Sequence, residues 1–220
     1  MSGAAPLELF AHPFSSYCQK VLVALWEKEI AFEYRMLSPE QPENGERLNQ
    51  LWPFGKFPIL VHQGRTIAEA SIIIEYLDGL APDPRFVPDR ETLEVRFMDR
   101  VFDNYLMTPV MRMVLNAIRA PEQRDPIAVT ESEAMLDTSY AWLDARMAGR
   151  EWAATDAFTL ADCAAAPALF YADWVRRIPD QLVNLKAYRA RLLARPSYAR
   201  AVEEARPYRS LFPLGAPDRD

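Results

Sequence analysis

Hydrophobic and polar positions alternate with two different periods along this chain, and the change of period divides it. Leu7 to Ala11 is a short apolar run of strand length that His12-Pro13 stops. From Ser16 to near Glu29 the apolar residues Val21, Leu22, Leu25 and Trp26 recur at spacings of three and four, which predicts a helix. Phe32 to Met36 alternates apolar and polar, as a half-buried strand does. A polar, proline-containing stretch follows, with a short helix expected around Glu46 to Leu51. Phe57 to Val61 reads as another apolar strand, His62-Gln63-Gly64 as a tight turn and Arg65 to Ala68 as the returning strand. Ala70 to Leu80 places Ile73, Tyr76, Leu77 and Leu80 on one helical face. The order β-α-β-α-β-β-α describes a small α/β domain over residues 1–80.

The stretch APDPRFVPDR, residues 81–90, carries three prolines and reads as a linker. Residues 91–220 give only helical patterns, hence an all-α domain. A long helix is expected from Leu93 to near Ile118, kinked where Pro109 removes a backbone donor. Asp125-Pro126 is a cap followed by proline at the first helical position, and Gly149 closes that helix. Thr159-Leu160-Ala161-Asp162 has the form of a capping box with Asp in place of Glu, and Phe158 and Cys163 occupy the positions of a hydrophobic staple. Asn184 to Ala194 and Tyr198 to Ala205 are two more helices, separated at Pro196.

Composition narrows the function classes. Half of the 220 residues are hydrophobic and a quarter charged, which is ordinary for a globular protein in water. The net charge of −6 offers no basic excess for nucleic acid, and the local cluster Arg189, Arg191, Arg195 reads as a solvated helix face. No apolar run reaches membrane-spanning length, and MSGAAPLELF lacks the basic-then-apolar layout of a signal peptide, so a cytoplasmic location is expected. Cys18 and Cys163 lie far apart and read as reduced thiols. The two histidines, His12 and His62, are not spaced against them as zinc ligands, and no metal is expected.

Three short stretches carry candidate chemistry. A strand that ends in a loop opening a helix gathers unpaired backbone N–H groups at one point, where an anion is stabilised. Ser15 and Ser16 lie at such a point in FAHPFSSYCQKV. Ser15 and Cys18 stand as S-x-x-C, the layout of a dithiol redox pair with its first cysteine replaced, so a thiol must come from a ligand. Taken alone, each serine is also an ordinary helix cap and Cys18 an ordinary packing residue. In Gly55-Lys56-Phe57-Pro58-Ile59-Leu60, a cis Phe57-Pro58 bond would leave the backbone of Phe57 open to a peptide-like ligand; a trans edge proline is the commoner arrangement. In Glu69-Ala70-Ser71, the helix start could bind a carboxylate and Glu69 an ammonium; otherwise Glu69 complements the helix dipole.

Together these stretches resemble the soluble glutathione transferase family. HPFSSYCQKV, GKFPILV, TIAEASIIIEYL, FTLADCAAAP and NLKAYRARLLARPSYARAVEEA look like family segments in family order and span nearly the whole chain. The resemblance implies a thioredoxin-like N-terminal domain and an all-α C-terminal domain. It implies that Ser15, with Ser16 as the neighbouring alternative, is the serine that hydrogen-bonds the thiolate of reduced glutathione, as in the serine-type classes. Phe57 then matches the residue whose backbone pairs with the cysteinyl part, Pro58 the cis-proline, and Glu69 the acid at the γ-glutamyl end. Lys56 is placed to reach the glycyl carboxylate, and His12 lies near the thiol. The family commonly has serine directly after the acid, where this chain has Ala70. Ser71 is displaced by about 100° around the helix and is no simple substitute.

The resemblance also implies an acceptor pocket between the domains, to which His12, Tyr105, Met107 and Met111 contribute, for a small hydrophobic electrophile. Methionine suits such a site, although a Met-rich stripe at helical spacing also serves as core. A C2 homodimer is implied too. The reading is a transferase that conjugates glutathione to an electrophile. Its rivals are a non-catalytic scaffold of the same fold binding a protein or apolar ligand, which Ala70 favours, and thiol transfer through Cys18, which needs an accessible, acidic thiol.

Overall fold

The computed structural model describes residues 6–220; Met1–Ala5, part of the stretch read for a targeting signal, lie outside the described residues. The chain divides into two compact units, one ending at Phe86 and the other running from Val87 to Asp220.

The N-terminal unit contains β1 (Leu7–Ala11), α1 (Ser16–Glu27), β2 (Phe32–Met36), α2 (Pro42–Leu51), β3 (Ile59–His62), β4 (Arg65–Ala68) and α3 (Ala70–Leu80). The sheet order is β2-β1-β3-β4, with β1 and β2 parallel and the other pairs antiparallel. Side-chain alternation fixes its two faces. Phe10 pairs with Ile59 and Ile59 with Ala68, and these residues pack with Leu48 and Leu51 of α2 and with Trp52. Leu9, Leu60 and Ile67 form the next rung and are also buried. Helices α1 and α3 pack on one another, and α3 on β3 and β4.

Several boundaries differ from those expected. Helix α2 begins at Pro42, four residues before the expected Glu46, because a proline at the first helical position sets φ without losing a needed donor. The strand expected from Phe57 begins at Ile59, after a cis Phe57–Pro58 bond that cannot join the ladder. Helix α1 stops at Glu27, and Glu29 turns the chain with φ 53°. The β3–β4 turn consists of Gln63 and Gly64, both at positive φ, as a two-residue hairpin requires. Beyond α3, the fully buried Lys28 side chain donates to the carbonyls of Ala81 and Pro84, both at 2.6 Å, and pairs with Asp78 at 2.8 Å. Asp78 also accepts the Phe86 N–H. Residues 81–86 are thereby fastened to the N-terminal unit.

The C-terminal unit is helical: α4 (Thr92–Val101), a π-helical segment Phe102–Met107, α5 (Thr108–Ala117), α6 (Pro126–Met147), α7 (Leu160–Val175), α8 (Val183–Ala194) and α9 (Pro196–Ala205). Helix α7 is buried all round from Leu160 to Trp174, as the central helix of a bundle must be. It packs on α4, α5, α8 and the π-helical segment. The long helix expected over Leu93 to Ile118 is not a kinked α-helix. An α-helical bond to the Tyr105 carbonyl would need the N–H of residue 109, which proline lacks. The turn widens to π geometry instead, and the Ser139 hydroxyl donates to that carbonyl at 3.1 Å. Asp125 caps α6 by accepting from Ile127 and Ala128, and Asp162 accepts from the Thr159 N–H and hydroxyl at the start of α7. No described helix is long and apolar enough to cross a membrane.

Candidate functional site

The register of the sheet gathers the candidates of the N-terminal unit at one end. Phe10 of β1 stands opposite Ile59 of β3, and Ile59 opposite Ala68 of β4. Just beyond that rung the chain leaves each strand: β1 runs out through Ala11 to His12, β3 is entered from Phe57–Pro58, and β4 runs out to Glu69. Helices α1 and α3 both start here, each directing its first backbone N–H groups toward this end of the sheet.

The loop into α1 is braced from within. The Ser15 N–H donates to the His12 carbonyl at 3.0 Å, and the buried Gln19 side chain donates to the Pro13 carbonyl at 2.9 Å. His12 Nδ1 accepts the Phe14 N–H at 3.1 Å, which puts the proton of the neutral ring on Nε2. Burial lowers the pKa of this histidine, so the neutral form prevails at pH 7. Ser15 is the N-cap of α1, its hydroxyl oxygen facing the Cys18 N–H at 3.5 Å, and it is partly exposed. Ser16, the first helical residue, is buried. Cys18 has no exposed surface, and burial pushes its thiol pKa up to about 12. A thiol so buried and so weakly acidic is not a nucleophile at neutral pH, which removes thiol transfer through Cys18.

The Phe57–Pro58 bond is cis and Phe57 is 38% exposed, so its backbone lies beyond the end of β3 at the surface. Lys56 is exposed beside it, after the turn at Gly55. Glu69, the N-cap of α3, has φ 71° and ψ 119°, a backbone conformation that an L-residue adopts at a cost. Its side chain makes no capping hydrogen bond and is exposed, so the helix start is not closed by its own cap. Ala70 is buried and adds no polar group. No group of three or more His, Cys, Asp and Glu side chains suited to a metal occurs among the described residues.

The structure thus brings together His12, Ser15, Ser16, Phe57, Pro58, Glu69 and Ala70, with Lys56 adjoining them in the chain. Tyr105, Met107 and Met111 belong to the other unit, on the π-helical segment and α5; Tyr105 is 48% exposed, Met111 partly exposed and Met107 buried. Sequence reasoning missed the Gln19 brace, the backbone of Glu69 and the hydrogen bond from Lys20 to Ser71. Only the last left a trace, as a lysine inside an apolar helical pattern.

A mixed four-stranded sheet in β-α-β-α-β-β-α order, with a cis-proline entering β3, is a thioredoxin-like fold, and a helical unit follows it. Residues 9–85 match the model of the glutathione S-transferase N-terminal domain, and residues 106–196 that of its C-terminal domain. A stringent starvation protein A homolog from Coxiella burnetii is 24% identical over 90% of this chain and 92% of its own. A glutathione S-transferase from Hyoscyamus muticus is 26% identical over 90% of this chain and 98% of its own. Among solved structures, a glutathione S-transferase from Methylobacterium radiotolerans, in complex with glutathione sulfonate, superposes with a TM-score of 0.77. It is 26% identical, covering 90% of this chain and 95% of that one. The chain belongs to the glutathione S-transferase family.

Proposed function

We propose that this chain is a glutathione transferase of the serine type, joining reduced glutathione to a small hydrophobic electrophile. The observation that carries the reading is the convergence of two helix starts and the cis Phe57–Pro58 backbone at one end of the sheet. Ser15 takes the catalytic role and Ser16 does not, since Ser15 is partly exposed at the cap and Ser16 is buried. Its hydroxyl donates to the glutathione sulfur, and the start of α1 adds positive potential, so the thiolate is populated at neutral pH. The backbone of Phe57 pairs with the cysteinyl residue as a strand would. Glu69 takes the γ-glutamyl ammonium, the start of α3 takes the α-carboxylate, and Lys56 takes the glycyl carboxylate.

Glutathione supplies the nucleophilic sulfur. In a substitution, the S–C bond forms as the bond from carbon to the leaving halide breaks, the halide departs with the electron pair, and the thiol proton has passed to solvent. Tyr105 and Met111 offer apolar surface on the C-terminal unit for the acceptor in this reading, whereas Met107 is buried and belongs to the core. The assignment divides the chain into a glutathione domain (1–80), a linker (81–90) and an acceptor domain (91–220), in a cytoplasmic C2 homodimer.

Calorimetric titration with reduced glutathione tests it. Wild type binds saturably, Glu69→Ala weakens binding, and Ser15→Ala loses the thiolate absorbance. No binding at millimolar glutathione would remove the transferase reading. A second reading, a non-catalytic scaffold of the same fold, draws on Ala70 and on the full-length similarity to a stringent starvation protein A homolog. Saturable glutathione binding with no turnover across a panel of electrophiles would favour it.

A further inference from the structure

Gln19 lies near the start of α1 with no exposed surface. Counted from the N-cap Ser15 it is the fourth helical residue, and Phe14 stands just before the cap. Those are the two positions of a hydrophobic staple, which Phe158 and Cys163 occupy at α7, and an apolar pair there is enough to fix the entry angle of the chain. At α1 the inner position carries an amide instead. Burying an amide costs free energy unless it is hydrogen-bonded.

The bonds of Gln19 fall on both ends of one short loop. Its N–H donates to the Ser15 carbonyl at 2.9 Å, and its side-chain Nε2 donates to the carbonyl of the buried Pro13, also at 2.9 Å. Helical side chains lean toward the helix N-terminus, which lets this residue reach back past the cap. His12 takes the N–H groups between those ends, that of Ser15 through its carbonyl at 3.0 Å and that of Phe14 through Nδ1 at 3.1 Å. The backbone of Ser15 is therefore tied on both sides. Its hydroxyl is held less tightly: the contact with the Cys18 N–H is 3.5 Å long, and the oxygen accepts in it, so the hydroxyl can still donate to a ligand.

We infer that Gln19 is a positioning residue: by holding the Pro13 carbonyl it fixes the loop that aims the Ser15 hydroxyl at the sulfur of a bound thiol. The inference rests on the transferase reading above, in which the thiol is that of reduced glutathione and Ser15 donates to it. A displaced hydroxyl bonds the thiolate less well, and the bound thiol then ionises at a higher pH.

Thiolate absorbance of bound glutathione, followed against pH, is the test. The Cys18 thiol, pushed up to about 12, is silent near neutral pH. Gln19→Met keeps the length of the side chain and removes its donor. It raises the midpoint of the bound thiol by about one pH unit, which is about tenfold less thiolate below the midpoint. S-methylglutathione, which has no thiol to ionise, binds this variant with nearly unchanged affinity. In a Ser15→Ala background, Gln19→Met adds no further rise. An unchanged midpoint, a rise that persists in full without Ser15, or a comparable loss of affinity for S-methylglutathione overturns the role of Gln19 and leaves the transferase reading standing. Should Gln19→Met not fold, Gln19→Asn, which withdraws the amide by one methylene, carries the same comparison with the same outcomes. Wild type that binds no glutathione, or whose midpoint Ser15→Ala does not move, overturns the role of Ser15 and this inference with it.

Discussion

Two helix starts in this protein are built from similar short sequences and serve opposite ends. At the start of α7, Asp162 is buried and accepts from the Ala153 and Thr159 N–H groups, both at 2.9 Å, and from the Tyr188 hydroxyl at 2.6 Å. That start is closed: a side chain of the same turn takes donors from the helix, from the preceding loop and from α8. At the start of α3, Glu69 sits at φ 71°, its side chain makes no cap, and the residue that follows is alanine. That start is open. A helix N-terminus has the same orphan donors in both places; whether the start is closed by the protein's own side chains depends on one or two residues.

The largest effect that would sharpen this contrast is in the closed start. Asp162→Ala leaves a buried N–H from Ala153 and the Tyr188 hydroxyl without their acceptor, and each buried orphan costs about 1–3 kcal/mol. A loss of stability of about 3 kcal/mol or more is expected by urea denaturation. A loss under about 1 kcal/mol would show that the closed start is not a structural device. In the open start, Glu69→Gly removes the side chain proposed to take the ammonium and relieves the positive φ. Glutathione affinity falls by more than tenfold, whereas stability holds or rises by up to about 1 kcal/mol. A variant that loses stability and keeps its affinity would break the comparison.

What was legible in the sequence follows the range of the interactions. Thr159-x-x-Asp162 and Asp125-Pro126 were readable because a cap is a contact between residues two or three apart. The strands along the chain were readable from short apolar runs and alternation, and the turn at Gln63-Gly64 from its glycine. The π-helical segment was only half legible. Pro109 announces a lost donor at Tyr105, but the hydroxyl that replaces it comes from Ser139, 34 residues on. Lys20 and Ser71 are 51 residues apart, and no local pattern could pair them. Ser15, Pro58 and Glu69 could be singled out as candidates because each sits where a strand meets a helix or a turn. The choice of Ser15 over Ser16 depends on exposure, and the backbone of Glu69 on the path between β4 and α3; neither is written in a neighbouring residue.

Smaller effects probe the open start directly. Ala70→Ser restores a hydroxyl at the first turn of α3, and a hydrogen bond to a charged group contributes about 1.5–3 kcal/mol. Glutathione affinity is expected to rise about tenfold, near the lower bound of that range. Unchanged affinity would mean that the carboxylate does not bind at this helix start.

The smallest expected effect lies beside the start of α1, the other helix start of the proposed site. His12 is partly buried, and burial lowers its pKa in the folded chain. The unfolded chain, with an ordinary imidazole near 6.5, therefore binds a proton more readily than the folded one. By linkage, protonation favours unfolding: stability is unaffected by this group well above 6.5 and declines as the pH falls through that value. Protonation would also place a hydrogen on Nδ1, against the Phe14 N–H that donates to it now. His12→Gln removes the titration, so its urea midpoint should drop less than that of wild type between pH 8 and pH 5. Because the ring is only partly buried, solvent screens much of the effect. Identical pH dependence in the two proteins would place the acid sensitivity elsewhere and leave the α1 start, like that of α7, a matter of hydrogen bonds alone.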